Sequence, residues 1–271
     1  MKTQRLIPES QEPESNLVPA PAGPLRIPPW KDHASGSRLS LVLPTFNEAR
    51  NIESMIVGVS ETLDGSNIPY ELIVVDDNSP DGTWRLALAL CGSMPRLRVV
   101  RRMHERGLAT AVIRGWQVAD GDVLGVIDSD LQHPPDALPS LWGGIQSGAD
   151  LAVASRYVQG GGLSEWSWRR RLISRTAEAM GFIILPEIMI RLADPLSGYL
   201  LVRRSTLTGT TLRPRGYKLL IEILGRGKIN NVCEVGYIFR ERTENESKVT
   251  WRTYLDYLVH LGILRFRHLS P

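Results

Sequence analysis

From Leu39 onward, short apolar runs alternate with longer amphipathic stretches. Leu39 to Leu43, Glu71 to Val75, Leu97 to Arg101, Asp122 to Ile127 and Asp150 to Ala154 have the length and apolar content of buried strands. Between them, helices are predicted from about Asn47, from about Thr83, over Leu108 to Val118, and from about Pro135. Strands separated by helical stretches of about 10–15 residues predict βαβ units, and hence an α/β fold with a mainly parallel central sheet. After Arg156 the alternation weakens. Residues 159–178 are Gly-rich, then Trp- and Arg-rich; 179–191 are amphipathic with a bulky apolar face; 240–248 read as a charged loop. Tyr254 to Leu264 form a last apolar-leaning helix that runs into Arg265-Phe266-Arg267-His268. There are no internal repeats.

Residues 1–37 stand apart, because they are dominated by Pro, Ser, Glu and Gln. Such a stretch lacks the apolar surface to offset its ordering entropy and reads as a disordered extension. The predicted organisation is therefore an extension at 1–37, an α/β domain at 38–250 and a membrane-proximal helix at 251–271. The 271 residues, 42% hydrophobic and 23% charged, are enough to bury a sizeable core. A net charge of +3 is too mild to imply a nucleic-acid partner. The two cysteines, Cys91 and Cys233, lie far apart in apolar surroundings and read as reduced core residues of a cytoplasmic protein. The N-terminus lacks the apolar core of a secretory signal. No segment reaches the roughly 18 apolar residues of a membrane span. Membrane contact is expected to be peripheral.

The polar motifs fall just after strand ends, where open α/β sheets bind ligands. They are Pro44-Thr45-Phe46-Asn47-Glu48, Asp76-Asp77 and Asp128-Ser129-Asp130-Leu131-Gln132. Asp128 and Asp130 are two apart at a strand end, so both can face one ligand. Hard carboxylate oxygens there, with Gln132 adding another, suit a divalent cation shared with a diphosphate. The competing explanation for Asp130 is a helix N-cap ahead of Pro134-Pro135. Asp77 is assigned to a ribose or base edge, and Asp81 to the turn that starts the next helix. His133 could be a ligand, a base or a plain loop residue. Arg156, Arg169, Arg170, Arg171 and Arg175 offer guanidinium groups to phosphate. For Arg169 and Arg171, a basic face on anionic lipid or in water fits as well. No Walker loop, dinucleotide glycine motif, zinc cluster or serine elbow is present.

Together with Val75-Asp76-Asp77-Asn78-Ser79-Pro80-Asp81-Gly82-Thr83, Gly107-Leu108-Ala109-Thr110-Ala111 and Asp128 to Pro135, the motif Pro44 to Glu48 resembles glycosyltransferase family 2. More narrowly, the set is similar to the polyprenol- or dolichol-phosphate mannosyltransferases. The likeness continues through Ser155-Arg156-Tyr157, Trp168 to Arg175, Asp194-Pro195-Leu196-Ser197-Gly198-Tyr199 and Arg242 to Lys248, covering roughly residues 39 to 250. The resemblance implies a GT-A, Rossmann-like fold with a C-terminal interfacial helical part and no transmembrane span. It implies inverting transfer of mannose from GDP-mannose to a polyprenyl phosphate. By position, Pro44, Phe46, Glu48, Val75 and Asp77 would hold the nucleoside, and Asp128 and Ser129 would contact the donor. Asp130 and Gln132 would bind Mg²⁺ or Mn²⁺. Arg156, Arg170 and Ser174 would grip the acceptor phosphate, while Arg242 and Lys248 would lie on a loop closing over the donor diphosphate. Asp128, Asp130, Arg156 and Arg170 are the residues assigned to catalysis.

An ionised acceptor phosphate needs no strong base, which agrees with the lack of one in the motifs. Transfer of glucose from UDP-glucose to undecaprenyl phosphate, a saccharide acceptor, and a non-catalytic sugar-nucleotide binder are the alternatives. The resemblance also admits a small membrane subunit as partner, with peripheral contact at the cytoplasmic face of a membrane. Two departures stand out. Asn245 occupies a loop position where the family favours Gly. Glu105-Arg106-Gly107 stands where many relatives carry Lys-Leu-Gly.

Overall fold

The computed structural model describes residues 16–30, 37–163, 179–240 and 251–267. Its strands are β1 (Leu17–Pro19), β2 (Leu39–Thr45), β3 (Tyr70–Asp76), β4 (Leu97–Arg101), β5 (Val123–Val126), β6 (Leu151–Ser155), β7 (Gly162–Leu163), β8 (Leu200–Arg203), β9 (Val232–Gly236) and β10 (Ile238–Phe239). Its helices are α1 (Ile52–Gly65), α2 (Thr83–Leu90), α3 (Leu108–Val118), α4 (Leu138–Gln146), α5 (Pro186–Met189), α6 (Arg204–Leu207), α7 (Leu219–Arg226) and α8 (Trp251–Arg267). Residues 179–184 are also helical. Eight strands form one sheet in the order β1-β4-β3-β2-β5-β8-β6-β9, and β7 pairs with β10 beside it. Every pairing in the large sheet is parallel except those of β8, which runs antiparallel between β5 and β6.

The sheet is buried on both faces, which is why β2 and β3 read as continuous apolar runs. Alternate residues serve opposite cores. Leu41 and Leu43 join α1, α2 and α4 on one side, and Val42 joins α3, α7 and α8 on the other. At Gly115 the helix α3 lies so close to the sheet that an added Cβ would sit 2.6 Å from Val42 Cγ2 and 2.9 Å from Val75 Cγ2.

Three expectations require correction. Residues 16–30 are ordered, although composition assigned them to a disordered extension. β1 pairs with β4, and Ile27 is fully buried. Carbonyls of Gly23, Pro24 and Arg26 accept hydrogen bonds from Arg114 and Gln117. A few well-spaced apolar residues and a row of backbone acceptors dock this strap, and average hydrophobicity over 37 residues conceals them. The first helix begins at Ile52 rather than near Asn47. Asn47 has a left-handed backbone, φ 56°, which breaks the helical path. Finally, β8 and β9 complete the sheet where the alternation had weakened. Cys91 and Cys233 are free thiols, as the sequence indicated.

Candidate active site

The neighbours β3, β2 and β5 bring the acidic motifs together. β2 and β3 run in register to Thr45 opposite Asp76, and β5 flanks β2 on its other side. Between β2 and β5 the strand order reverses direction, which opens a crevice at the carboxyl ends of the strands. Ser129 Oγ donates to Pro44 O at 3.2 Å, tying the end of β5 to that of β2.

On the β3 side, Asp76 is structural. Its buried carboxylate accepts from Thr45 Oγ1, Ser79 N and Ser79 Oγ, and so shapes the turn. Asp81 accepts from Thr83 N, Thr83 Oγ1 and Ala49 N, which is the turn role its position indicated. Asp77, assigned to the nucleoside, is almost fully buried and ion-paired with Arg102. Arg102 Nε donates to Asp77 Oδ1 at 2.7 Å, and Gly107 N donates to Oδ2 at 2.8 Å. Gly107 adopts φ 119°, a backbone conformation in the region favoured by glycine. Burial raises the Asp77 carboxyl above its ordinary pKa, with Arg102 pulling the other way. Phe46 is exposed at the lip, with the Arg106 guanidinium 5.3 Å from its ring centroid. Glu48 is buried and accepts from Asn51 Nδ2 at 2.8 Å. Val75 differs from its assignment: its side chain is fully buried against α3 at Gly115, and its backbone lies in the ladder between Pro44 and Val100.

On the β5 side, Asp128, Ser129, Asp130 and Gln132 share one turn. Asp130 Oδ1 accepts from Gln132 N at 3.1 Å, and Leu131 between them holds a left-handed φ of 62°. Gln132 Nε2 donates to Arg240 O at 3.1 Å, which leaves the amide oxygen as its ligand atom. This donor set is all hard oxygen and fits Mg²⁺ or Mn²⁺. Among the described residues no three His, Cys, Asp or Glu side chains gather at one point. A cation at this turn would therefore draw the rest of its shell from diphosphate and water.

His133, which the sequence left open, is buried in an aromatic box. Its ring stacks on Tyr237 at 5.6 Å and meets Tyr199 and Phe239 edge-on. Burial pushes its pKa down to about 4, so it is neutral near pH 7. Its Nδ1 is 3.8 Å from Asp128 Oδ2, too far for a hydrogen bond. A neutral imidazole sealed among rings is a packing residue of the turn, not a ready base.

At the end of β6, Arg156 meets a partner the sequence analysis missed. Nε and Nη2 donate to Asp194 at 2.7 and 2.6 Å, and the Arg156 backbone N donates to the same carboxylate at 3.0 Å. Burial by itself lowers the Arg156 pKa, but the Asp194 hydrogen bonds raise it more, so the guanidinium stays charged. The overlooked pair Arg102–Asp77 had a faint signal, a basic doublet at one strand end beside an acidic doublet at the next. Asp194 had none beyond its place in the resemblance. Arg170, Ser174, Arg242, Lys248 and the neighbouring Arg169, Arg171, Arg175 and Asn245 lie outside the described residues.

The chain is similar to several known proteins. The model of the family described as "Glycosyl transferase family 2" matches residues 40–208. A dolichol-phosphate mannosyltransferase of Pyrococcus furiosus is 44% identical over 224 residues, 83% of this chain and 62% of that protein. This chain thus spans less than two thirds of that relative's length. A polyprenol monophosphomannose synthase of Mycolicibacterium smegmatis is 35% identical over 223 residues, 79% of this chain and 81% of that protein. Among solved structures, glucosyl-3-phosphoglycerate synthase of Mycobacterium tuberculosis was determined with Mn²⁺, UDP-glucose and phosphoglyceric acid. It superposes with a TM-score of 0.65 at 25% identity, covering 86% of this chain and 80% of that one. The fold is the GT-A, Rossmann-like α/β arrangement that the resemblance implied. Because the matched region runs from β2 to α6 and includes the turns at all three acidic strand ends, the chain belongs to glycosyl transferase family 2.

Proposed function

We propose that this chain moves mannose from GDP-mannose to a polyprenyl, dolichyl-type phosphate with inversion at the anomeric carbon. The observation that carries the reading is the 44% identity to the Pyrococcus furiosus dolichol-phosphate mannosyltransferase. Phe46, Glu48, Asp77 and the backbone at Pro44 hold the nucleoside in the crevice. Asp128 and Ser129 position the donor sugar and diphosphate. Asp130 and Gln132 would hold a divalent cation, which would supply positive charge against the leaving diphosphate; the Mn²⁺ in the Mycobacterium tuberculosis structure supports such use.

Arg156, with Arg170 and Ser174, orients the acceptor phosphate. Arg242 and Lys248 screen the donor diphosphate. A phosphate monoester is largely ionised near pH 7, since its second pKa is about 6. Its oxygen can attack without a base, and the sealed, neutral His133 is consistent with a site that uses none. Arg156 and its fellow arginines lower the repulsion between two anionic reactants, and alignment supplies the remainder.

The acceptor's tail requires a bilayer, so the reading includes peripheral contact at the cytoplasmic face of a membrane. Leu255, Val259, Ile263 and Phe266 form an exposed stripe along α8, and Phe182, Ile183 and Ile190 are exposed nearby in sequence to α5. An apolar stripe beside basic residues such as Arg265 suits the lipid interface. No helix among the described residues is long and apolar enough to cross a membrane.

The test is an incubation of the full chain with Mn²⁺, a polyprenyl phosphate and radiolabelled GDP-mannose, with parallel arms containing UDP-glucose or phosphoglyceric acid. Metal-dependent label in the lipid from GDP-mannose is the expected result. Labelled lipid from UDP-glucose alone would replace the donor assignment. Folded protein that labels no lipid from either donor would refute the reading.

A further inference from the structure

The site's deepest charge does not end at Asp77. Arg102, whose side chain is fully buried, donates to Asp77 with Nε, to Gly107 O with Nη2 at 2.9 Å, and with Nη1 to Thr110 Oγ1 and Glu105 Oε2. Glu105 is in turn gripped by Arg114, whose Nε and Nη2 donate at 2.9 and 2.6 Å. The same Arg114 Nη2 donates to Gly23 O at 3.0 Å in the strap, and Arg114 Nη1 donates to Gln117, whose amide holds Pro24 O and Arg26 O. Charges alternate along this line: Asp77 negative, Arg102 positive, Glu105 negative, Arg114 positive. The Arg114 side chain is only 5% exposed. Two buried guanidinium groups thus share the Glu105 carboxylate, whose side chain is 41% exposed, and Arg102 pairs with Asp77 as well. The hydrogen bonds of Arg114 hold the Glu105 carboxyl below its ordinary pKa, so it stays ionised.

The far end of this ladder, residues 17–27, lies outside the matched region 40–208. We propose that Glu105 and the N-terminal strap together form a positioning element for the donor nucleotide, acting on Asp77 through Arg102. This rests on the assignment of the donor nucleoside to Asp77. Without Glu105, Arg102 keeps Asp77, Gly107 and Thr110 but loses an acceptor at Nη1, and Arg114 keeps only neutral acceptors, so the guanidinium that fixes Asp77 is held less firmly. Glu105 itself touches no substrate in this scheme. Its effect should therefore fall on donor affinity and leave the chemical step alone.

The test titrates GDP with Mn²⁺ into the full chain and measures kcat with KM for donor and acceptor. Glu105→Gln should weaken GDP binding and raise donor KM about 10-fold, or about 1.4 kcal/mol. Its kcat and acceptor KM should stay within about 2-fold. Glu105→Asp, which keeps the charge, should recover most of the affinity. Arg114→Met and deletion of residues 1–24 should give the same donor-specific loss. Combined with Glu105→Gln, either should add little, because all three cut one route. An unaffected GDP affinity in Glu105→Gln would overturn the proposal. So would a loss spread evenly over kcat and both KM values, the mark of general damage. Wild-type protein that binds no GDP would instead overturn the donor assignment, and this inference with it.

Discussion

Replacing Arg156 by Ala should damage the fold before it reports on catalysis. The Arg156 side chain is 8% exposed and that of Asp194 is 0% exposed. The pair is bidentate, and the Asp194 carboxylate also caps the Arg156 backbone N. Removing the guanidinium strands a buried carboxylate, a perturbation that typically costs about 3–5 kcal/mol. In a chain of this size each kcal/mol lowers Tm by about 2–4 °C, so a fall of roughly 10 °C is expected. Urea and thermal unfolding of Arg156→Ala, Asp194→Ala and the double variant give a double-mutant cycle. The double variant should be more stable than the sum of the single losses predicts, because it removes both buried charges. A stability loss below about 1 kcal/mol in Arg156→Ala, or simple additivity, would refute the buried-pair argument. Arg156→Lys keeps the charge but loses the fork, so it should retain more stability than Ala while still failing to orient a phosphate.

Other predictions follow from packing and burial. Gly115→Ala should destabilise by about 1–3 kcal/mol, because its Cβ would meet Val42 and Val75, whereas exposed Gly143→Ala in α4 should stabilise by about 0.5–1 kcal/mol; equal effects in unfolding curves would contradict the close approach of α3. Burial pushes the Cys91 thiol up to about 11, so it should remain unalkylated by iodoacetamide at pH 8 until the protein unfolds, and modification of folded protein at Cys91 would show an opening at α2. Val259→Ser with Ile263→Ser, both on exposed positions, should reduce flotation with anionic vesicles and leave Tm unchanged. Undiminished flotation would remove α8 from the membrane contact.

Parallel strands buried on both faces announce themselves as apolar runs, so β2 to β6 could be read within a few residues. The acidic strand ends were legible because neighbouring elements of a βαβ sheet share one ligand edge. β8 was not, since Leu-Leu-Val-Arg beside Gly198-Tyr199 is too short to tell a strand from a helix turn, and its antiparallel insertion depends on β5 and β6. The pairings Asp77–Arg102 and Arg156–Asp194 join residues 25 and 38 positions apart, and only the three-dimensional sheet edge decides such partners. The result is that Arg156, assigned from the resemblance to catalysis and the acceptor phosphate, carries a structural duty as well. The strap was hidden for a different reason: its docking depends on backbone carbonyls, which no residue type reveals.

The antiparallel strand β8 has a bearing on how the molecule comes into being on the ribosome. β6 pairs only with β8 and β9 among the described strands, and never with β5, which precedes it in the chain. Residues 39–130 can therefore close their part of the sheet, with the turns at Asp77 and Asp130, while the remainder is still being made. β6 has no sheet to join until Leu200–Arg203 has emerged and paired with β5. Asp194 leaves the ribosome shortly before that strand, so the carboxylate that secures Arg156 is delivered together with the sheet that receives it.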